Sequence, residues 1–206
     1  MKKLGLLLGS FDPIHIAHIN IAACAINSGL CDKVLFVVAK HNPWKENEPT
    51  PFELRCKMIE AAIVPLGDKA EVCRLEEGIE PPTYSYKVIS LIREQYPEDE
   101  IYLLAGSDTI DNVPHWKNFE THIKDKIGFI EVLRGHDSLI SDEPIPFKVQ
   151  CEAVSTCMKV TVLETQKLDV SSTLVRKMVH DGMNPYPYIT KEVLQIINEN
   201  NLYQNG

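Results

Sequence analysis

Apolar residues along this chain fall into two patterns. Short unbroken runs, many of them β-branched, occupy Leu4–Leu8, Val34–Val38, Ala70–Leu75, Ile101–Leu104, Ile127–Leu133 and Lys159–Leu163. Such runs predict strands buried on both faces. Between them, apolar residues recur every three or four positions, which is the helical period. That spacing predicts helices over 17–28, 52–63, 84–96, 110–113, 147–156, 172–180 and 190–200. Strand and helix alternate along nearly the whole length. The expected architecture is α/β: a doubly wound, mostly parallel sheet with right-handed crossovers.

Punctuation sharpens the C-terminal part. Ser171 or Ser172 stands where a helix running through Val179 needs a cap, and Gly182 stands where it would end. Pro185 and Pro187 prevent continuation. Thr190 then caps a last helix with Val193, Ile196 and Ile197 on one face. The segment His136–Phe147 is polar, carries two prolines and reads as a surface loop. The 206 residues show no internal repeat or low-complexity tract, so one domain over 1–206 is expected.

Composition narrows the classes of function. Hydrophobic residues make up 44% of the chain, enough for a sizeable core, and no apolar run approaches a membrane span. Met1-Lys2-Lys3 has the charge of a signal-peptide start, but the apolar run behind it breaks at Gly9-Ser10, so a cytoplasmic protein is expected. The formal net charge is −8, which argues against nucleic acid as a partner because non-specific binding needs a basic face. A small anion is not excluded, since a local cluster binds phosphate even in an acidic protein. Cys24, Cys31, Cys56, Cys73, Cys151 and Cys157 form no C-x-x-C pair, so all are expected to be reduced thiols rather than a zinc or redox motif.

Candidate chemistry concentrates where the first strand gives way to the first helix. The run Gly9-Ser10-Phe11-Asp12-Pro13-Ile14-His15-Ile16-Ala17-His18 places two histidines three residues apart at a helix start. Helix N-termini offer unpaired N–H groups and partial positive charge, and in open α/β sheets this is where phosphates bind. A metal pair and purely structural histidines are the competing readings of His15 and His18. A third metal ligand is not evident nearby, and zinc would leave Phe11-Asp12-Pro13 unexplained.

The same run, GSFDPIHIAH, resembles the G-x-F-D-P-x-H-x-G-H signature of nucleotidyltransferases that transfer AMP or CMP to a phosphate. Val170-Ser171-Ser172-Thr173-Leu174-Val175-Arg176 resembles their second signature, I-S-S-T-x-I-R. Several segments are similar to those of the nicotinate (nicotinamide) mononucleotide adenylyltransferases within that superfamily. They are Ala105-Gly106-Ser107-Asp108 with His115-Trp116-Lys117, Pro82-Thr83-Tyr84-Ser85, the Arg55 and Met58 helix, and the terminal Leu202-Tyr203. Ala17 replaces the usual glycine, Lys87 stands where an acidic residue is common, and Asn42-Pro43-Trp44-Lys45 replaces the usual P-x-x-x-P-H-K, so only Lys45 carries over there.

The resemblance implies a Rossmann-like nucleotidyltransferase fold, with helices 171–203 completing an ATP site. It implies adenylyl transfer from ATP, with Mg²⁺, to nicotinate mononucleotide, giving deamido-NAD and pyrophosphate. His15, His18 and Arg176 would be catalytic. Gly9, Ser10, Phe11, Gly106, Ser171, Ser172 and Thr173 would contact ATP. Lys45, Tyr84, Ser85, Asp108 and Trp116 would contact the mononucleotide. Trp116 offers a face on which a pyridine ring stacks, Asp108 an acceptor for ribose hydroxyls, and the helix start at Tyr84 and Ser85 N–H groups for the nicotinate carboxylate. Bland readings stand beside these: a simple helix cap for Ser171–Thr173, ordinary packing for Trp116, a turn for Asp108 and a solvated charge for Lys45.

Two rival functions share features of the pattern. Pantetheine-phosphate adenylyltransferases carry both signatures but are shorter and lack the Asp108…Trp116-Lys117 arrangement. A module that senses ATP or NAD⁺ without turnover would bind nucleotide and release no pyrophosphate. The ring preference, acid or amide, stays open at this level, as does assembly into a homo-oligomer; a Lys87 pointing at the ring would favour the acid.

Overall fold

The protein is described from a computed structural model covering residues 1–40, 49–134, 149–155 and 158–204. Lys45 and the 136–147 loop therefore lie outside the described residues. Strands β1 (Lys3–Gly9), β2 (Lys33–Val38), β3 (Ala70–Cys73), β4 (Glu100–Gly106), β5 (Gly128–Arg134), β6 (Val149–Ser155) and β7 (Met158–Thr165) form one sheet. Its order is β3-β2-β1-β4-β5-β7-β6. All neighbours are parallel except β6, which runs antiparallel to β7 at the edge. The expected doubly wound, Rossmann-like sheet is what forms.

Side chains sort by strict alternation. In β2, Val34, Phe36 and Val38 join one core, while Leu35 and Val37 join the other. The first core lies under helices α1 (Ile16–Asn27), α2 (Phe52–Ile63), α5 (Ser172–His180) and α6 (Lys191–Glu199). The second lies under α3 (Ser85–Gln95), α4 (Ser107–Asn112) and the turns around Phe119 and Ile123. A period of two thus hides within each continuous apolar run, because both faces of a parallel sheet are covered. No helix among the described residues is long and apolar enough to cross a membrane.

One expectation fails. The helix predicted over 147–156 is strand β6. Val149-Gln150-Cys151-Glu152-Ala153-Val154-Ser155 begins with apolar–polar alternation as readily as it fits a helical wheel. Antiparallel pairing with β7 (Val149 opposite Leu163, Ser155 opposite Met158) decides between the two. The C-terminal punctuation holds. Thr190 Oγ1 accepts the Val193 N–H at 3.3 Å. Gly182 sits at φ +69° just past α5, a conformation glycine adopts without steric cost.

Strand order reverses between β1 and β4, so their connections leave in opposite directions and open a crevice at their carboxyl ends. The loops there are held from below by Arg55, which is fully buried on the core face of α2 beside Cys56, Met58 and Ile59. Its Nη1 donates to the carbonyls of Ser10 and Ala39, both at 2.7 Å, its Nε to Thr50 at 2.8 Å and its Nη2 to Lys40 at 3.2 Å. One guanidinium therefore ties the β1 exit, the β2 exit and the approach to α2 together. Burial pulls its affinity for a proton down, and Asp12 opposes that shift. Replacing Arg55 with Met keeps the length but orphans four carbonyl acceptors. We expect a loss of about 3–5 kcal/mol, read as a Tm lowered by roughly 10 °C in thermal denaturation. Arg55→Lys should recover little of it, since an ammonium lacks the planar fork.

Candidate active site

The chain leaves β1 through Gly9 and Ser10 and enters α1 at His15, whose extended backbone (φ −142°, ψ 170°) makes it the N-cap. Phe11 turns the chain at φ +48° and folds its ring back over Gly9. A Cβ on Gly9 would meet that ring at 3.0 Å, which is why glycine stands there. Phe11 is 2% exposed, so its side chain supports the turn from beneath rather than opening onto a ligand, and an ATP contact from this residue is left to its backbone. Its ring meets His18 edge-on at 5.0 Å and Phe36 at 5.7 Å.

The two imidazoles are stacked, with ring centroids 3.7 Å apart and planes 25° apart. His18 Nδ1 accepts the backbone N–H of His15 at 3.3 Å, half of a reciprocal capping box. An accepting Nδ1 leaves the proton of a neutral ring on Nε2, so His18 presents an N–H donor from its far side. His15 is buried; His18 is half-exposed and lines the crevice. Nearly parallel stacked rings do not converge their nitrogens on one ion, and this disfavours the metal-pair reading. Among the described residues no group of three or more His, Cys, Asp or Glu side chains could hold a metal ion.

The crevice has a volume of about 800 Å³. Gly9, Ser10 and His18 form one side of it, and Tyr84, Ser85, Gly106, Asp108 and Trp116 the other. Gly106 allows the close return of Asp108, because a Cβ there would meet Asp108 Oδ1 at 2.9 Å. Trp116 is half-buried, backed by the second core with one part on the crevice. Tyr84 is the N-cap of α3, so the first N–H groups of that helix open at the same wall.

Ser171, Ser172, Thr173 and Arg176 do not line this crevice; they pack beside it, across the first turn. Ser171 Oγ accepts the Leu174 N–H at 3.1 Å, the plain cap. Ser172 Oγ donates to the Pro13 carbonyl at 2.8 Å. Arg176 Nη1 donates to the Asp12 carbonyl at 2.6 Å and its Nη2 to Thr173 Oγ1 at 3.2 Å. The second signature is thus stitched to the first.

With this geometry in view, comparison with known proteins is informative. Residues 6–178 match the family described as cytidylyltransferase-like. The chain belongs to that family. Within it, a probable nicotinate-nucleotide adenylyltransferase of Endomicrobium trichonymphae is 30% identical over 99% of this chain and 100% of its own length. One of Clostridium perfringens is 29% identical over 99% of each. In fold, this cytidylyltransferase-like chain resembles a solved structure of Plasmodium falciparum nicotinic acid mononucleotide adenylyltransferase complexed with NaAD. The TM-score is 0.77 at 23% identity, covering 100% of this chain and 99% of that one.

Several crevice residues escaped the sequence reading. Glu76 is 7% exposed, lines the crevice, and accepts the Lys40 N–H at 2.9 Å. Lys117 holds its ammonium 4.4 Å from the centroid of the Tyr84 ring. The Thr83 hydroxyl lies buried at the crevice wall with no hydrogen-bond partner. Lys87, by contrast, donates to the Pro82 carbonyl at 3.3 Å and does not line the crevice. Thr83 and Lys117 stand inside the segments quoted for the resemblance but had no role of their own there, and Glu76 carries no local signal.

Burial raises the Glu76 carboxyl above its ordinary range, outweighing the Lys40 N–H and the Arg55 charge. A carboxyl raised on folding contributes most stability below its unfolded value and loses it as pH climbs through the folded value. Glu76→Gln keeps an acceptor for Lys40 without the charge. We expect it to be more stable than the parent at pH 8, with the difference shrinking toward pH 4 in paired thermal melts.

Proposed function

We propose that the crevice transfers an adenylyl group from ATP to the phosphate of nicotinate mononucleotide, forming deamido-NAD and releasing pyrophosphate. The observation that carries this reading is the stacked His15–His18 pair at the β1–α1 turn, with His18 opening onto the crevice that Tyr84 and Trp116 share. The names of the relatives agree with it.

The chemistry asks little of the protein beyond placement and charge. The mononucleotide phosphate is already a nucleophile at neutral pH. One of its oxygens attacks the α-phosphorus of ATP, the bond from that phosphorus to the bridging oxygen breaks, and pyrophosphate departs with the electron pair. No proton has to move. His18 would donate from Nε2 to α-phosphate oxygens as charge develops. His15 would hold that ring from beneath, with its share of the triphosphate. Arg176 and the start of α5 (Ser171, Ser172, Thr173) would take the β- and γ-phosphates, and Gly9, Ser10 and Gly106 the nearby backbone contacts. ATP would bring Mg²⁺ on its own phosphate oxygens, where it screens the charge of the leaving group.

On the other wall, the pyridine ring would stack on Trp116, the ribose would bond Asp108, and the ring carboxylate would meet the N–H groups at Tyr84 and Ser85. Lys117 adds positive charge to that wall and would favour an acid over an amide. Lys45 remains a candidate for the mononucleotide phosphate.

Pyrophosphate release from ATP tests the reading directly. Nicotinate mononucleotide should support it, and phosphopantetheine should not; binding of ATP with no release alongside any mononucleotide would instead favour a sensing module. His18→Ala should lower kcat by about a hundredfold or more, about 3 kcal/mol in the barrier. Lys117→Met should cut the ratio of kcat/KM for the acid over the amide about fivefold, worth roughly 1 kcal/mol for so exposed a charge.

A further inference from the structure

The last turn of the chain reaches back to the first. Tyr203 follows α6 at φ +63°, an uncommon backbone for a tyrosine, and its ring leads into the ground beneath the β1–α1 turn. Its hydroxyl donates to Asp12 Oδ1 at 2.7 Å. The Thr50 N–H donates to Asp12 Oδ2 at 3.3 Å, and Thr50 Oγ1 donates to the Tyr203 oxygen at 3.2 Å, closing a ring of three residues. Asp12 is 9% exposed, so solvent contributes little to its orientation.

What hangs from Asp12 makes this more than a tether. Its carbonyl accepts Arg176 Nη1 at 2.6 Å, and the next carbonyl, Pro13, accepts Ser172 Oγ. The side chain of residue 12 is thus fixed from the C-terminus, while its backbone braces the α5 guanidinium. A rotation of the 12–13 peptide would carry the Arg176 brace with it. A displacement of about 1 Å at a group that meets the reacting phosphates is enough to cost a large part of a rate.

We propose that Tyr203 is a positioning residue for the transfer: through the Asp12 carboxylate it fixes the peptide against which Arg176 is braced, and so sets where that guanidinium meets the triphosphate. This rests on reading Arg176 as a phosphate ligand.

The test uses the full chain with Tyr203→Phe, which keeps the ring and removes the donor. Expected are a kcat about tenfold lower, an unchanged KM for nicotinate mononucleotide, and a melting temperature still far above the assay temperature. In an Arg176→Ala background the same change should add little, because the two act through one path. Thr50→Val, which removes the hydroxyl and keeps the N–H to Asp12, should lower kcat in the same direction by less, and it decides the matter if Tyr203→Phe fails to fold. Wild-type kcat per folded molecule in the deciding variant overturns the proposal, as do losses that simply multiply in the Arg176→Ala background. Arg176→Ala with wild-type kinetics would remove the reading beneath it instead.

Discussion

The buried guanidinium of Arg55 is the constraint on which the rest of this molecule depends. Parallel strands β1 and β2 end side by side, and their exits point carbonyls inward where water does not reach. Buried carbonyls need donors. One side chain with five N–H groups in a plane meets four of those demands at once. An apolar residue of equal size would fill the space and leave the acceptors stranded. The charge itself is the cost: desolvation works against it, and the carboxylates of Asp12 and Glu76 answer at a distance.

Those same two carboxylates tie the constraint to the site. Asp12 is part of the turn that presents His15 and His18. Glu76 sits on the crevice wall and takes the Lys40 N–H, while Arg55 takes the Ala39 carbonyl of the same peptide. The peptide at the β2 exit is therefore gripped on both edges, and the crevice floor is built from backbone held in place rather than from mobile side chains. Sites set on such supports keep their geometry when ligands arrive.

How much of this the sequence revealed follows from the range of each interaction. Strands and most helices were legible because burial imposes a period within a few residues. The first turn was legible because glycine, proline and two histidines crowd into ten positions with few structural uses. The 147–156 segment was not, since its pattern suits either period and pairing with β7 decided it. The Tyr203–Asp12 bond joins residues 191 apart in sequence, beyond the reach of any local pattern. Arg55 was visible only as part of a helix resembling that of the adenylyltransferases; its partners are carbonyls, which carry no sequence identity. Lys117 and Lys87 show the same limit, because nothing local in the sequence tells the lysine on the crevice from the one bonded to Pro82.

The crevice wall and the start of α5 packed beside the crevice also differ in how ready they are. Beside the first turn, Ser172 and Arg176 already have partners, yet a guanidinium bonded to one carbonyl and one hydroxyl keeps further N–H groups to offer. A nucleotide arriving there would add bonds without breaking any, and the ordering of a long side chain would already have been met in folding. That is preorganisation in the sense that matters for a reaction with no proton to move: the donors stand still while charge shifts from one phosphate to the next. On the crevice wall itself, Thr83 keeps an unmatched hydroxyl and Lys117 an ammonium resting on a ring rather than on a carboxylate. Groups left unmatched in a folded protein cost stability, and at a crevice wall a ligand would offset that cost. The chain thus has its settled interactions at the β1–α1 turn and its unsettled ones at Thr83 and Lys117.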